Sequence, residues 1–139
     1  MHRKGIFHRD LKLLNIFVTD SSDYPKVKIG DLGMACQLKD GEHIQKQSGT
    51  FAFMSPELIL KQPNDFKSDV WSLGIVLYSI MTGTHPFEKQ NETKKMLKKN
   101  IAFKVLRFEG EIWQHISPEC QDLLLHLLDK DSESRFSID

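Results

Sequence analysis

At 139 residues the chain is long enough to bury a core and fits one domain, or one lobe of a larger one. Its 19 basic and 19 acidic residues cancel, so no global field points to nucleic acid or an acidic membrane, and partners must be recognised locally. Cys36 and Cys120 are too few for a disulfide framework and lack zinc-site spacing, while no apolar run reaches the length of a membrane span or follows a signal-peptide pattern. The expected home is therefore a reducing one, cytoplasmic or nuclear as well.

In chain order, "HRDLKLLN" (His8 to Asn15) sets leucines between an acid, a lysine and an asparagine, as in a segment anchored in a core with one side facing something charged. "NIFV" (Asn15 to Val18) and "KVKIG" (Lys26 to Gly30) are β-rich runs separated by the turn-forming "TDSSDYP", which predicts a hairpin. From Asp31 to Ser55 little periodicity persists, and a long functional loop is expected. "DVWSLGIVLYSIMTG" (Asp69 to Gly83) is apolar nearly all round and ends in glycine, which predicts a buried helix.

"NETKKMLKKN" (Asn91 to Asn100) has helical composition with a polar surface. Its Lys94, Lys95, Lys98 and Lys99 form either a docking patch or simply a solvated face. "SPECQDLLLHLLDK" (Ser117 to Lys130) opens with an N-cap serine and a proline at the first helical position, and its Leu123, Leu124, Leu127 and Leu128 share one face. The predicted unit is mainly α with one short β-hairpin near its start.

A second motif, "DLG" (Asp31 to Gly33), stands 16 residues past Asn15, directly after the second β run. A hairpin brings Asn15 and Asp31 together at its outer ends, and a carboxylate beside a carboxamide oxygen is a hard oxygen pair suited to Mg²⁺ held with substrate phosphates. Asp10 and Lys12 face the same volume. An acid, a metal pair and a cation converging on one point is what phosphoryl transfer requires.

On these residues the sequence resembles the C-terminal lobe of the eukaryotic protein kinases, whose fold is a bilobal α+β one. "HRDLKLLN", "DLG", "GTFAFMSPE", "DVWSLG" and Arg135 after the last leucine-rich helix come in the family's order. The resemblance implies a partial kinase domain over residues 1–139, from the catalytic loop to the penultimate helix region. No G-x-G-x-x-G or V-A-x-K is present, so the N-lobe is expected to be missing and the chain truncated at both ends.

The resemblance implies ATP and Mg²⁺ as cofactors, Asp10 as the group that orients or deprotonates the substrate hydroxyl, Lys12 as a contact to the transferring phosphate, and Asn15 and Asp31 as metal ligands. Phe17 occupies the floor under adenine, where an aliphatic residue is more usual. Lys12 and Thr50 match the Ser/Thr-specific branch, so protein substrates with Ser or Thr acceptors are implied. His8 is expected to pack under the "DLG" turn with Leu32 and Asp69, and Gly33 completes that turn. Glu57 is expected to pair with Arg135.

Arg9 resembles the arginine that clasps a phosphorylated loop residue in many kinases. The matching acceptor position is Lys46, and Met34 to Gln47 contains no Ser, Thr or Tyr, so Asp40 or Glu42 is expected to supply a carboxylate to Arg9 instead. "WQHISPECQDLLLHLLDKDSESRFS" and the long hairpin turn are similar to the calcium/calmodulin-dependent and calcium-dependent group, with the NIMA-related kinases second. Asp10 and Asp31 could separately be solvated loop acids, and the competing class is a non-catalytic module, pseudokinase-like or truncated, that binds substrates or regulators without turnover.

Overall fold

The computed structural model describes residues 1–39 and 41–138. Among them are four helices, α1 (Pro56–Ile59), α2 (Lys67–Thr82), α3 (Lys94–Phe103) and α4 (Pro118–Leu127), and four short strands, β1 (Ile6–Phe7), β2 (Ile16–Val18), β3 (Val27–Ile29) and β4 (Cys36–Gln37). The helical character and the β2/β3 hairpin agree with the sequence pattern. A second pair corrects it: β1 lies antiparallel to β4, with Phe7 opposite Cys36. Strands of two residues are too short to show an alternation, so nothing in the pattern marks them.

Helix α2 is the centre of the fold. Val70, Trp71, Ile75, Val76 and Tyr78 are all buried on it, as an apolar surface running round most of the helix requires. It ends where Gly83 turns left-handed at φ 69° and its N–H closes back on Ser79 O. Trp71 stacks on Phe87 at 5.5 Å, and Leu124 of α4 and Leu128 just after it pack into the same cluster. Leu123, placed by periodicity on that stripe, is 39% exposed; it sits at the margin of the stripe, one turn before Leu127, which is buried.

Capping sets the remaining ends. Ser117 Oγ accepts from the Cys120 amide ahead of Pro118, as predicted. Helix α3 starts later than its composition suggests, because Asn91 is left-handed at φ 64° and Thr93 is the residue whose hydroxyl accepts from Met96 N. It then runs on through Ile101 and Ala102, which are buried.

Lys130 is drawn into this core. Its ammonium lies 3.6 Å from the Phe87 ring centroid and 4.5 Å from that of Trp71, and it donates to Ile101 O at 2.7 Å. Burial pushes its pKa down to about 7, and the charges of Arg135 and Lys104 act in the same direction. Between pH about 7 and its ordinary 10.5 the unfolded chain holds the proton more tightly than the folded one, so this group adds stability as pH rises through that window. Lys130→Met should therefore gain most, relative to the parent protein, at pH about 7, and that gain should shrink towards pH about 10. Urea midpoints of both proteins across the range test it; a pH-independent difference would be the contrary result.

Candidate active site

Two consecutive amides in the loop after β1 point at one carboxylate. The N–H groups of His8 and Arg9 donate to Asp69 Oδ2 at 2.8 Å and Oδ1 at 2.9 Å, and Asp69 sits buried in the first turn of α2. His2 Nε2 adds a third bond to Oδ2 at 2.9 Å. Arg9 is left-handed at φ 70°, a conformation that costs a non-glycine residue about 1–3 kcal/mol and must be held by its surroundings.

His8 braces the next step. Its Nε2 donates to Gly30 O at 3.0 Å, which leaves Nδ1 to accept from the Asp10 amide at 3.2 Å and fixes a neutral tautomer. The Asp10 carboxylate is thereby aimed at the segment before α1. Its Oδ1 accepts from Thr50 N at 2.7 Å and Thr50 Oγ1 at 2.8 Å. Its Oδ2 accepts from Lys12 Nζ at 2.7 Å, and the same ammonium donates to Thr50 Oγ1 at 2.9 Å. Burial works to raise the Asp10 pKa, but the Lys12 and Thr50 hydrogen bonds and the lysine charge outweigh it and hold the carboxyl below its usual range.

Gly49, which the sequence reading passed over, makes this approach possible. It is left-handed at φ 98°, and a Cβ there would lie 2.3 Å from the Arg9 carbonyl oxygen. Only glycine fits.

The hairpin carries the second half of the site. Asn15 is buried, and its amide donates to Asp10 O at 2.9 Å; among the described residues its Oδ1 has no hydrogen-bond partner. Gly30 N donates to Asn15 O at 2.9 Å, so Asp31 stands one residue beyond the position that faces Asn15. Asp31 is exposed and left-handed at φ 57°, and its Oδ1 accepts from Gly33 N at 3.3 Å. Phe17 is more than half exposed, and its ring covers Gly30, where a Cβ would come within 2.6 Å of the ring. Gly30 is thus a second residue missed by sequence reasoning; any Cβ there would displace the Phe17 ring.

Two expectations are corrected. Leu32 does not pack beneath the turn with His8 and Asp69 but is 56% exposed, because its short 3-10 turn, Leu32–Met34, leaves the side chain outward and His8 spends its ring on the Gly30 carbonyl. Arg9 meets Ser48 rather than Glu42: its Nε donates to Ser48 Oγ at 2.7 Å, while Glu42 accepts from Lys39 N at 2.9 Å. Asp40, the other expected carboxylate, lies outside the described residues.

At the base of the molecule Glu57 and Arg135, 78 positions apart, form a bidentate pair at 2.8 and 2.9 Å. Arg135 is 1% exposed and also donates to Asp129 O and Lys67 O at 2.9 Å each. Ser68 Oγ donates to Glu57 at 2.8 Å.

The model of the protein kinase domain matches residues 1–139. The chain belongs to the protein kinase family. It is similar to Serine/threonine-protein kinase PLK1 of Xenopus laevis, 37% identical over all of this chain and 22% of that protein. Ribosomal protein S6 kinase alpha-6 of Mus musculus is also 37% identical, over 99% of this chain and 18% of that protein. The PLK1 of Xenopus tropicalis is 35% identical. The chain thus spans about a fifth of the length of these kinases.

The Glu57–Arg135 pair ties the segment after Thr50 to the end of this kinase chain. Burial works to raise the Glu57 pKa, but the Arg135 bonds and charge dominate and hold it low. Arg135→Met should cost about 3–5 kcal/mol, since it strands a buried carboxylate. Part of that loss should be recovered when Glu57→Gln is added, because the stranded charge is then removed. Denaturant titration of the single and double variants checks this; a loss under about 1 kcal/mol for the single change, the size of an exposed pair, would count against it.

Proposed function

We propose that this chain is the C-terminal lobe of a protein serine/threonine kinase that transfers the γ-phosphoryl group of ATP to Ser or Thr hydroxyls of protein substrates. The observation that carries the reading is the Asp10–Lys12–Thr50 cluster, in which one carboxylate and one ammonium face the same hydroxyl within 2.9 Å. A substrate Ser or Thr hydroxyl has the same chemistry as the Thr50 hydroxyl that now sits there. Held ionised, Asp10 is a weak base, which suits orienting the nucleophile and taking its proton late; phosphoryl transfer demands little more of it. Lys12 then supplies positive charge to the moving phosphoryl.

The residues present fit a Mg²⁺–ATP complex. Asn15 Oδ1 and the exposed Asp31 carboxylate are hard oxygen donors, and Mg²⁺ held with phosphates needs only one or two protein ligands. Bound there, Mg²⁺ would neutralise phosphate charge. Phe17 offers a ring face beneath the base.

A partial domain is supported by the surface around the site. Leu13, Leu14, Phe17, Val18, Leu32 and Met34, each within three positions of Asn15 or Asp31 in sequence, are exposed, Leu14 to 81%, and exposed apolar side chains in that number suit an interface. An N-lobe bearing the Gly-rich loop and strand lysine is the occupant this reading requires. Among the described residues no helix is long and apolar enough to cross a membrane, and a cytoplasmic or nuclear kinase with neither nucleic acid nor membrane as partner agrees with the zero net charge. For subgroup we keep the calcium/calmodulin-dependent and calcium-dependent kinases first and the NIMA-related kinases second, on the Trp113 to Ser137 stretch.

The rival is a non-catalytic interaction module, pseudokinase-like or truncated, in which the exposed apolar side chains near the site, Leu14 among them, bind a partner and the Asp10 cluster turns nothing over. Supplying an N-lobe decides between the two. With a relative's N-lobe joined ahead of Met1, radiolabelled ATP should label a Ser/Thr peptide. Asp10→Asn should lower kcat about 10²- to 10⁴-fold and leave ATP affinity nearly unchanged. Equal turnover in the variant would refute the role of Asp10, and no turnover in the joined parent would favour the module.

A further inference from the structure

The lysines of α3 are arranged in a way that neither the fold nor the proposed chemistry uses. Lys94 and Lys98, and Lys95 and Lys99, are like-charge pairs four residues apart, which weakens a helix rather than supporting it. All four are exposed. Lys94 leans over the Phe51 ring at 4.7 Å. Lys95, Lys98 and Lys99 instead border a groove of about 170 Å³ whose floor and walls are Ile59, Leu60, Ala102 and Phe103. Ile59 and Ala102 are buried at its floor, while Leu60 and Phe103 stand exposed, Phe103 to 66%. Among the described residues these three lysines make no ion pair, although the chain's acidic and basic residues are equal in number. The nearest carboxylate in sequence to the groove's other wall, Glu57, is buried and committed to Arg135.

We propose that this groove, between α1 and α3, docks an acidic-apolar segment of a partner protein. One large side chain, Phe or Leu, would enter between Leu60 and Phe103, and carboxylates on either side would meet Lys95, Lys98 and Lys99. Charge complementarity selects the occupant: the apolar walls reject a purely hydrated polyanion, and three uncompensated ammonium groups reject a neutral or basic helix. The groove is built from other elements than the Asp10 cluster, so a segment bound there leaves that site open and raises the local concentration of whatever else the partner carries.

The probe is a fluorescein-labelled peptide, Gly-Asp-Glu-Phe-Glu-Asp-Gly, titrated with the purified protein and followed by anisotropy. Saturable binding is expected, weakening with added salt as exposed charges do. Lys95→Glu combined with Lys98→Glu and Lys99→Glu should weaken it about tenfold or more, and so should Phe103→Asp. Each change is at an exposed position, and circular dichroism confirms that the variants keep their helices. Replacing Phe by Ser in the peptide should abolish binding. Absence of saturable binding, equal affinity for the Ser peptide, or equal affinity of the variants would overturn the proposal. So would lysine-dependent uptake by phosphatidylserine vesicles, or lysine-dependent self-association by sedimentation, in place of peptide binding. Binding is read without turnover, so failure here is distinct from a failure of phosphoryl transfer.

Discussion

A single carboxylate, Asp69, holds the site to the core. It accepts from the amides of two adjacent residues, His8 and Arg9, and does so from the first turn of the long core helix α2. The two amides meet different oxygens of the carboxylate, and directly after them the chain turns away through the left-handed Arg9 towards Asp10. The rigidity of α2, set by Trp71 and Ile75 in the core, is thus passed through one side chain to the loop that positions Asp10. An apolar residue at position 69 would leave both amides buried without an acceptor and the strain at Arg9 unopposed.

Strain is concentrated in the same place. Of the four described non-glycine residues with positive φ, Arg9 and Asp31 flank the candidate site, and the left-handed Gly49 faces Arg9 across it. Each has a local compensation. Asp69 holds Arg9, the Asp31 carboxylate accepts from Gly33 N, and Gly49 has no Cβ to collide. Backbone conformations that cost energy and are each individually braced are a signature of functional geometry rather than of packing.

What could be read from the sequence followed from how locally each feature is encoded. Helix α2 was legible because its apolar run and terminal glycine are contiguous, and α4 because Ser117 and Pro118 announce its start. The hairpin was legible from two β-rich runs and a turn, and the clustering of Asp10, Lys12 and Asn15 from spacing within one loop. Elements that depend on distant partners were not. The β1/β4 pairing joins residues about thirty apart through two-residue strands, Leu32 faces outward although its type suggests a core, and Arg9 finds Ser48 across 39 positions. The need for glycine at position 49 arises from the Arg9 carbonyl, and the close seat of the Phe17 ring on Gly30 likewise is a contact that exists only once the chain has folded.

The two buried carboxylates, Asp10 and Glu57, show why similar electrostatics can serve different ends. Both are held below the ordinary carboxylate range by a neighbouring cation despite their burial. Glu57 is gripped by the planar fork of Arg135, which also donates to the Asp129 and Lys67 carbonyls, so neither partner can leave without stranding a buried charge. Asp10 is held by Lys12, a flexible point charge, and by the Thr50 hydroxyl, neither of which has the fixed planar geometry of the Arg135 fork. Replaceable partners suit a group that must meet a substrate, and irreplaceable ones suit a tie that must never open. The chain puts the rigid fork at its base and the flexible ammonium at the candidate site, where a less committed partner leaves the carboxylate able to meet another group.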